Sequence, residues 1–186
     1  MKTVNTLLVC LRIKVLSEIL LISGFDRSGK STVSNALEKQ GFYIFECGAV
    51  VKKMINSNEK IEISTFYEKN MKYFNLQIHN EILNISAFHK KLAIIGVRSI
   101  NLYSLLKENF PTLNTIFIDS KNEVRYRRFV QNDGPSTIPF NLFLKNDSMQ
   151  VNWGLDQIKS LSNLIIVNDD DYLNFSEKIE KMVKSL

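Results

Sequence analysis

Five short apolar runs punctuate the chain: Ile19-Leu20-Leu21-Ile22, Phe42-Tyr43-Ile44-Phe45, Leu92-Ala93-Ile94-Ile95, Thr115-Ile116-Phe117-Ile118 and Leu164-Ile165-Ile166-Val167. Each is short and branched enough to be a buried strand, and longer stretches of mixed polarity separate them. Runs that are apolar at every position predict a sheet covered on both faces, hence parallel strands joined by crossover helices. The expected class is α/β. Between the strands, Lys30–Lys39 and Leu102–Asn109 read as helices, and Ser64–Phe88 carries a long helical pattern. Ser120-x-x-Glu123 reads as a capping box that opens a helix through about Gln131, and a last helix is expected near Ser176–Leu186.

The composition fits one domain. The 186 residues include 7 Gly and 3 Pro, too few for a low-complexity or disordered chain, and no stretch reads as a linker. Residues 1–17 form an N-terminal extension to a single domain over 18–186. Within that extension Leu7-Leu8-Val9-Cys10-Leu11 faintly resembles the core of a signal peptide, but Arg12 and Lys14 interrupt it and no small-residue cleavage site follows. No run approaches the roughly 20 apolar residues of a membrane span, so a cytoplasmic protein without a membrane partner is expected. Cys10 and Cys47 lie far apart with no CxxC spacing, which disfavours a disulfide framework or a zinc site. The net charge of +5 is scattered, with no basic arm or aromatic RNA-binding signature, so nucleic acid is not an expected partner. The chain could be a monomer or a homodimer.

After the first strand comes Gly24-Phe25-Asp26-Arg27-Ser28-Gly29-Lys30-Ser31-Thr32, a full G-x-x-x-x-G-K-[ST] match between a strand and a helix. Glycines allow successive N–H groups to converge on an anion, and the positive end of the following helix adds to the field. Lys30 is placed to meet the β- and γ-phosphates of ATP, and the Ser31 hydroxyl to bind Mg2+. No Asn-Lys-x-Asp guanine-reading motif occurs, and the chain has no room for the added domains of motors or transporters, which leaves a small-molecule kinase. Of six arginines, five (Arg27, Arg98, Arg125, Arg127 and Arg128) fall at or near such positions, although lysines are three times as frequent. Arg125 and Arg128 share a helix face and are expected to reach a migrating phosphoryl group, with Arg127 aside. Arg98, past the end of the third strand, is expected to contact the acceptor's phosphate, with a structural ion pair as the alternative.

Residues 24–32 resemble the phosphate loop of thymidylate kinases, which carry an Asp-Arg pair there. From Ile19 almost to the end, the chain resembles the dephospho-CoA-kinase-like and adenylate-kinase-like proteins. The marks are Gly41-Phe42, Gly48, Gly96-Val97-Arg98-Ser99, Arg125-x-x-Arg128, Phe143-Leu144 with Asp147, Trp153-Gly154 and Ile166-Val167-Asn168. The resemblance implies a P-loop kinase fold with strand order 2-3-1-4-5, ATP as donor, Mg2+, and a short lid at about 129–147. Several family residues are replaced. Ala49 stands where an acid follows Gly48, Ile95 where a Walker B aspartate precedes Gly96, and Asn146 where an arginine precedes Asp147. Asp26 and Glu46 are the local acids able to serve as general base or as a water-mediated metal partner, and the thymidylate-kinase likeness favours Asp26 as a sugar-hydroxyl contact. Dephospho-CoA kinase is one alternative reading; a nucleotide-binding protein with little or no transfer is another. Phe66, Tyr67, Tyr73 and Phe74 are either an acceptor-base pocket or helix packing. His79, His89 and Trp153 read as packing or surface residues, and Asp169-Asp170-Asp171 as a polar loop capping the last helix.

Overall fold

The computed structural model describes residues 18–55, 63–133 and 138–184. The extension at 1–17 lies outside them, as does part of the stretch expected to form a lid. Five strands form one parallel sheet: β1 (Glu18–Ser23), β2 (Tyr43–Glu46), β3 (Lys91–Ile95), β4 (Asn114–Asp119) and β5 (Leu164–Val167), in the order β2-β3-β1-β4-β5. Register runs Leu21 to Ile94, Phe45 to Ile94, Ile22 to Ile116 and Ile118 to Ile166. The helices are α1 (Lys30–Lys39), α2 (Cys47–Met54), α3 (Ile63–Lys69), α4 (Met71–Ser86), α5 (Ile100–Asn109), α6 (Asn122–Asp133), α7 (Phe140–Asn152), α8 (Leu155–Ser160) and α9 (Tyr172–Lys184).

Alternation along the central strands divides the core into two layers. Ile19 and Leu21 of β1 face one side with Leu92, Ile94 and Phe117, packed by Val51, Ile78, Ile82, Leu102 and Ile158. Leu20 and Ile22 face the other with Ala93, Ile95, Ile116 and Ile118, under Val33 and Leu37 of α1 and Phe175 and Ile179 of α9. Because both faces are covered, β1, β3 and β4 read as continuous apolar runs. β5 departs from that expectation: Leu164, Ile165 and Val167 are all exposed, so this edge strand is apolar in sequence without being buried.

Two further differences from the sequence reading have identifiable causes. The stretch 64–88 is two helices, because the Asn70 amide turns back to donate to Phe66 O at 3.0 Å, ends α3, and leaves its own carbonyl to receive Phe74 N at the start of α4. The capping box at Ser120 does not form. The Asp169 carboxylate, from the loop after β5, accepts from Lys121 N at 2.8 Å and from Ser120 Oγ at 3.3 Å.

Candidate active site

The five strands direct their carboxyl ends at one edge of the sheet, where open parallel sheets bind ligands. β1 ends there in the loop 24–29, and its curl is built from backbone conformations that few residues adopt. Gly24 has φ +142°, and a Cβ on it would lie 2.3 Å from Ile118 O. Gly29 has φ +106°, and a Cβ there would meet the Asn168 amide at 2.2 Å. Arg27 between them is also left-handed, at φ 63°. Gly29 is the N-cap of α1 and has no side chain to satisfy the first-turn N–H groups, which leaves that helix end open to an anion. The exposed Ser31 sits on this first turn.

Lys30 lies across the loop, donating to Gly24 O at 2.8 Å and Phe25 O at 2.7 Å. Burial lowers its pKa to about 8, with Asp26 and Glu46 opposing and Arg98 assisting the shift. Glu46, at the end of β2, is close enough that Lys30 partly offsets the rise its own desolvation causes. Asp26 pairs with Arg98, its Oδ1 accepting from the guanidinium, and Oδ2 accepts from Gln150 Nε2 at 3.2 Å. Partial desolvation pushes the Asp26 carboxyl up, but Arg98, Lys30, the Gln150 amide and Arg125 outweigh it and hold it below the usual carboxylate value.

The expectation for Arg125 and Arg128 does not match their positions. Arg125 is 1% exposed, and all five of its N–H donors are engaged: Nε with Ser120 O, one terminal nitrogen with Asp26 O and Asp147 Oδ1, the other with Asn122 Oδ1 and Asp147 Oδ2. Its guanidinium also lies 4.9 Å from the Phe25 ring centroid and 5.3 Å from that of Phe143. The side chain thus braces the loop from below and has no donor left for a phosphoryl group. Arg128 clasps the far side, donating to Arg27 O at 3.3 Å, to Asn168 O and Oδ1 at 3.0 and 3.1 Å, and to Asp170 O at 3.1 Å. Asn168 completes that clasp through its amide, which donates to Ser28 O at 2.7 Å. Arg127 is exposed, as its helical position predicts.

A cavity of about 670 Å³ opens beside the loop. Val51, Tyr67, Leu102, Met149 and Trp153 give it an apolar wall, while Asp26, Arg98, Lys52, Lys145, Asn146 and Gln150 supply polar groups. Tyr67 and Trp153 are therefore at once packed together, ring centroids 5.0 Å apart, and part of the lining. Phe74 is core and Tyr73 is exposed, so only one of the four expected aromatics reaches this cavity. The Cys47 thiol, also in the lining, is buried and its pKa pushed up to about 12, which keeps it protonated and unreactive. His79 is bonded to Asn109, and His89 stacks on Tyr43. Asp170 pairs with Lys178, and Asp171 accepts from Asn174 at the start of α9. Among the described residues no group of three or more His, Cys, Asp or Glu could hold a metal, and no helix is long and apolar enough to cross a membrane.

Gln150 was not among the sequence-level candidates. The buried face of α7 is Phe143, Asp147 and Gln150, a helical spacing in which two of three positions are polar, so a purely apolar period does not reveal it.

This strand order, with a glycine-rich loop between β1 and α1, defines the P-loop kinase-like fold. The comparisons with known proteins agree. The chain is 27% identical to a UPF0200 protein of Pyrococcus abyssi, over 90% of this chain and 96% of that one. It is also 27% identical to a UPF0200 protein of Pyrobaculum aerophilum, over 81% and 87%. No protein-family profile matches the chain. Similar solved structures include a shikimate kinase from Bacteroides thetaiotaomicron, with TM-score 0.60 and 13% identity over 90% of this chain and 97% of that one. A gluconokinase from Sinorhizobium meliloti gives TM-score 0.61 and 13% identity over 91% and 93%. A dephospho-CoA kinase from Campylobacter jejuni gives 0.57 and 15% over 90% and 96%. At such identities the likeness is one of fold.

Proposed function

We propose that the protein is an ATP- and Mg2+-dependent kinase that transfers the γ-phosphoryl group to a nucleotide or nucleotide-like small molecule. The observation that carries this reading is that one residue, Asp26, belongs both to the anion-ready loop and to the wall of the cavity, so a donor on the loop and an acceptor in the cavity would meet there. Lys30 and the α1 amides hold the β- and γ-phosphates, and Arg98 orients the acceptor through Asp26. Arg125 and Arg128 are positioning residues that fix the loop's shape. Mg2+ takes only one or two protein oxygens and keeps several waters. The exposed Ser31 hydroxyl, with Glu46 acting through water, fits that demand. When bound, the ion would neutralise charge shared by the two terminal phosphates.

The test is incubation with labelled ATP, Mg2+ and a panel of nucleoside monophosphates, deoxynucleotides and dephospho-CoA. Label on an acceptor, together with nucleotide-induced thermal stabilisation, is expected. Stabilisation without labelled product would favour the second reading, a nucleotide-binding protein. That reading is supported by Ile95, which is 2% exposed within the core and stands where kinases of this resemblance place an acid, and by the alanine at position 49.

The lowered Lys30 pKa sets a pH dependence. Between about pH 8 and 10.5 the unfolded chain retains a proton on Lys30 that the folded protein has released. This group therefore makes the nucleotide-free protein more stable as pH rises through that window. ATP requires the charged form, so its affinity moves the opposite way. The apparent Kd is expected to rise about tenfold between pH 7 and 9, the protonated fraction falling tenfold for each pH unit above the pKa. Titration calorimetry at several pH values checks this, and the Lys30→Ala protein should lack that component.

A further inference from the structure

We propose that the phosphorylated atom is an alcohol oxygen of an anionic, nucleotide-like molecule, and that the Asp26 carboxylate receives that hydroxyl's proton. The inference rests on the kinase reading above and specifies the acceptor of the same site.

Asp26 stands where the loop opens into the cavity, and its side chain is 46% exposed. One oxygen accepts from Arg98 and the other from Gln150, which leaves each oxygen a lone pair for a further donor. A hydroxyl supplies such a donor, whereas an acceptor phosphate has none in its ionised form and would face a like charge. Arg98 is the only arginine in the described lining, and one of its terminal nitrogens is held by Asp26 Oδ1. Arg125 and Arg128 are engaged elsewhere. A phosphate at the transfer point would thus face the Asp26 carboxylate with a single arginine beside it, whereas a hydroxyl meets that carboxylate as a donor.

The rest of the cavity fits a molecule with an anionic group away from that point. Asp26 and Arg98 cancel as a pair, and Lys52 of α2 and Lys145 of α7 remain in the lining with no ion pair among the described residues. Tyr67, Leu102, Met149 and Trp153 offer a surface for a flat or apolar body. A nucleotide with a free sugar hydroxyl carries all three elements: hydroxyl, anion and planar base. About 670 Å³ lies within the range of cavities that bind ligands of that size.

In the transfer step, the hydroxyl oxygen forms a bond to the γ-phosphorus while the bond from that phosphorus to the β–γ bridging oxygen breaks. ADP departs with the bond's electron pair, the hydroxyl proton passes to the Asp26 carboxylate, and the product is a phosphate monoester. Gln150 is a positioning residue here, acting through Asp26.

AMP, CMP, GMP, UMP and dTMP each carry both a terminal phosphate and a hydroxyl, so for them the product linkage decides between the two acceptor atoms, whereas dephospho-CoA offers no terminal phosphate. With ATP and Mg2+, 31P NMR of the product distinguishes a monoester from a phosphoanhydride through coupling to neighbouring phosphorus. A monoester is expected. Asp26→Asn should lower kcat about 100-fold or more while MgATP still stabilises the variant, and Asp26→Glu should recover part of the loss. The Lys52→Ala and Lys145→Ala proteins should each raise the acceptor KM about tenfold, the scale of a charged contact. An anhydride product would overturn the alcohol assignment and leave the kinase reading standing, and undiminished kcat in Asp26→Asn would overturn the proton-accepting role. Failure of MgATP to bind, or of every panel member to be labelled, would overturn the kinase reading and this inference with it.

Discussion

Lys30→Ala is expected to lose about a thousandfold or more in phosphoryl transfer, the scale seen when a single preorganised charge facing the migrating group is removed. Its melting temperature should hardly fall. The lysine is a cation lowered to a pKa of about 8 by burial, and it is held by the carbonyls of Gly24 and Phe25 rather than by an ion pair. Removing it relieves a desolvated charge as it deletes two hydrogen bonds, and these effects oppose each other. Activity and stability should therefore separate: a large kinetic loss in a protein that unfolds at nearly the same temperature. Unchanged turnover in this variant would remove the catalytic assignment of Lys30.

The largest stability effect is expected at Asp147. Its carboxylate meets Arg125 with both oxygens, and Arg125 is 1% exposed. Asp147→Ala leaves a guanidinium charge in the interior with only neutral partners, a change that typically costs about 3–5 kcal/mol. For a chain of this size that corresponds to a fall of roughly 6–20 °C in melting temperature. Replacing both residues with apolar ones of similar volume, as in an Arg125→Met, Asp147→Leu pair, should recover most of the loss, because no uncompensated charge remains. Urea denaturation of the single and double variants measures the difference. A loss below about 1 kcal/mol in Asp147→Ala would mean that Asn122, Ser120 and the two phenylalanine rings already compensate the arginine.

The division between what the sequence disclosed and what it concealed follows the range of the interactions. Branched apolar runs locate all five strands, because strand-forming residues are written locally in the sequence, in the buried central strands and in the exposed edge strand β5 alike. The glycine-rich loop is equally local: the backbone conformations at Gly24 and Gly29 require the residues that spell the motif. α7 went unread because Asp147 and Gln150 occupy its buried face, and they are buried for the sake of Arg125 and Asp26, residues 22 and 124 positions away. The same cause lies behind Ser120, whose cap is displaced by a carboxylate 49 positions downstream. Arg98 lies beside the loop because it pairs with Asp26, a partner 72 positions earlier that spacing does not disclose. Arg125 and Arg128 share the lesson. Their chemistry announces an affinity for oxyanions, and in this chain the oxygens they find belong to the protein.

That wiring has a thermodynamic consequence. Asp147 and Gln150 are one turn apart on α7; the first reaches the carbonyl of Asp26 through Arg125 and the second reaches its carboxylate directly. The helix bordering the cavity and the rim that would cradle a triphosphate are thus tied at a single residue from two directions. If a ligand in the cavity shifts α7, the loop is expected to move with it, so the affinities of a cavity ligand and a loop ligand would be linked, each altering the other by the same factor.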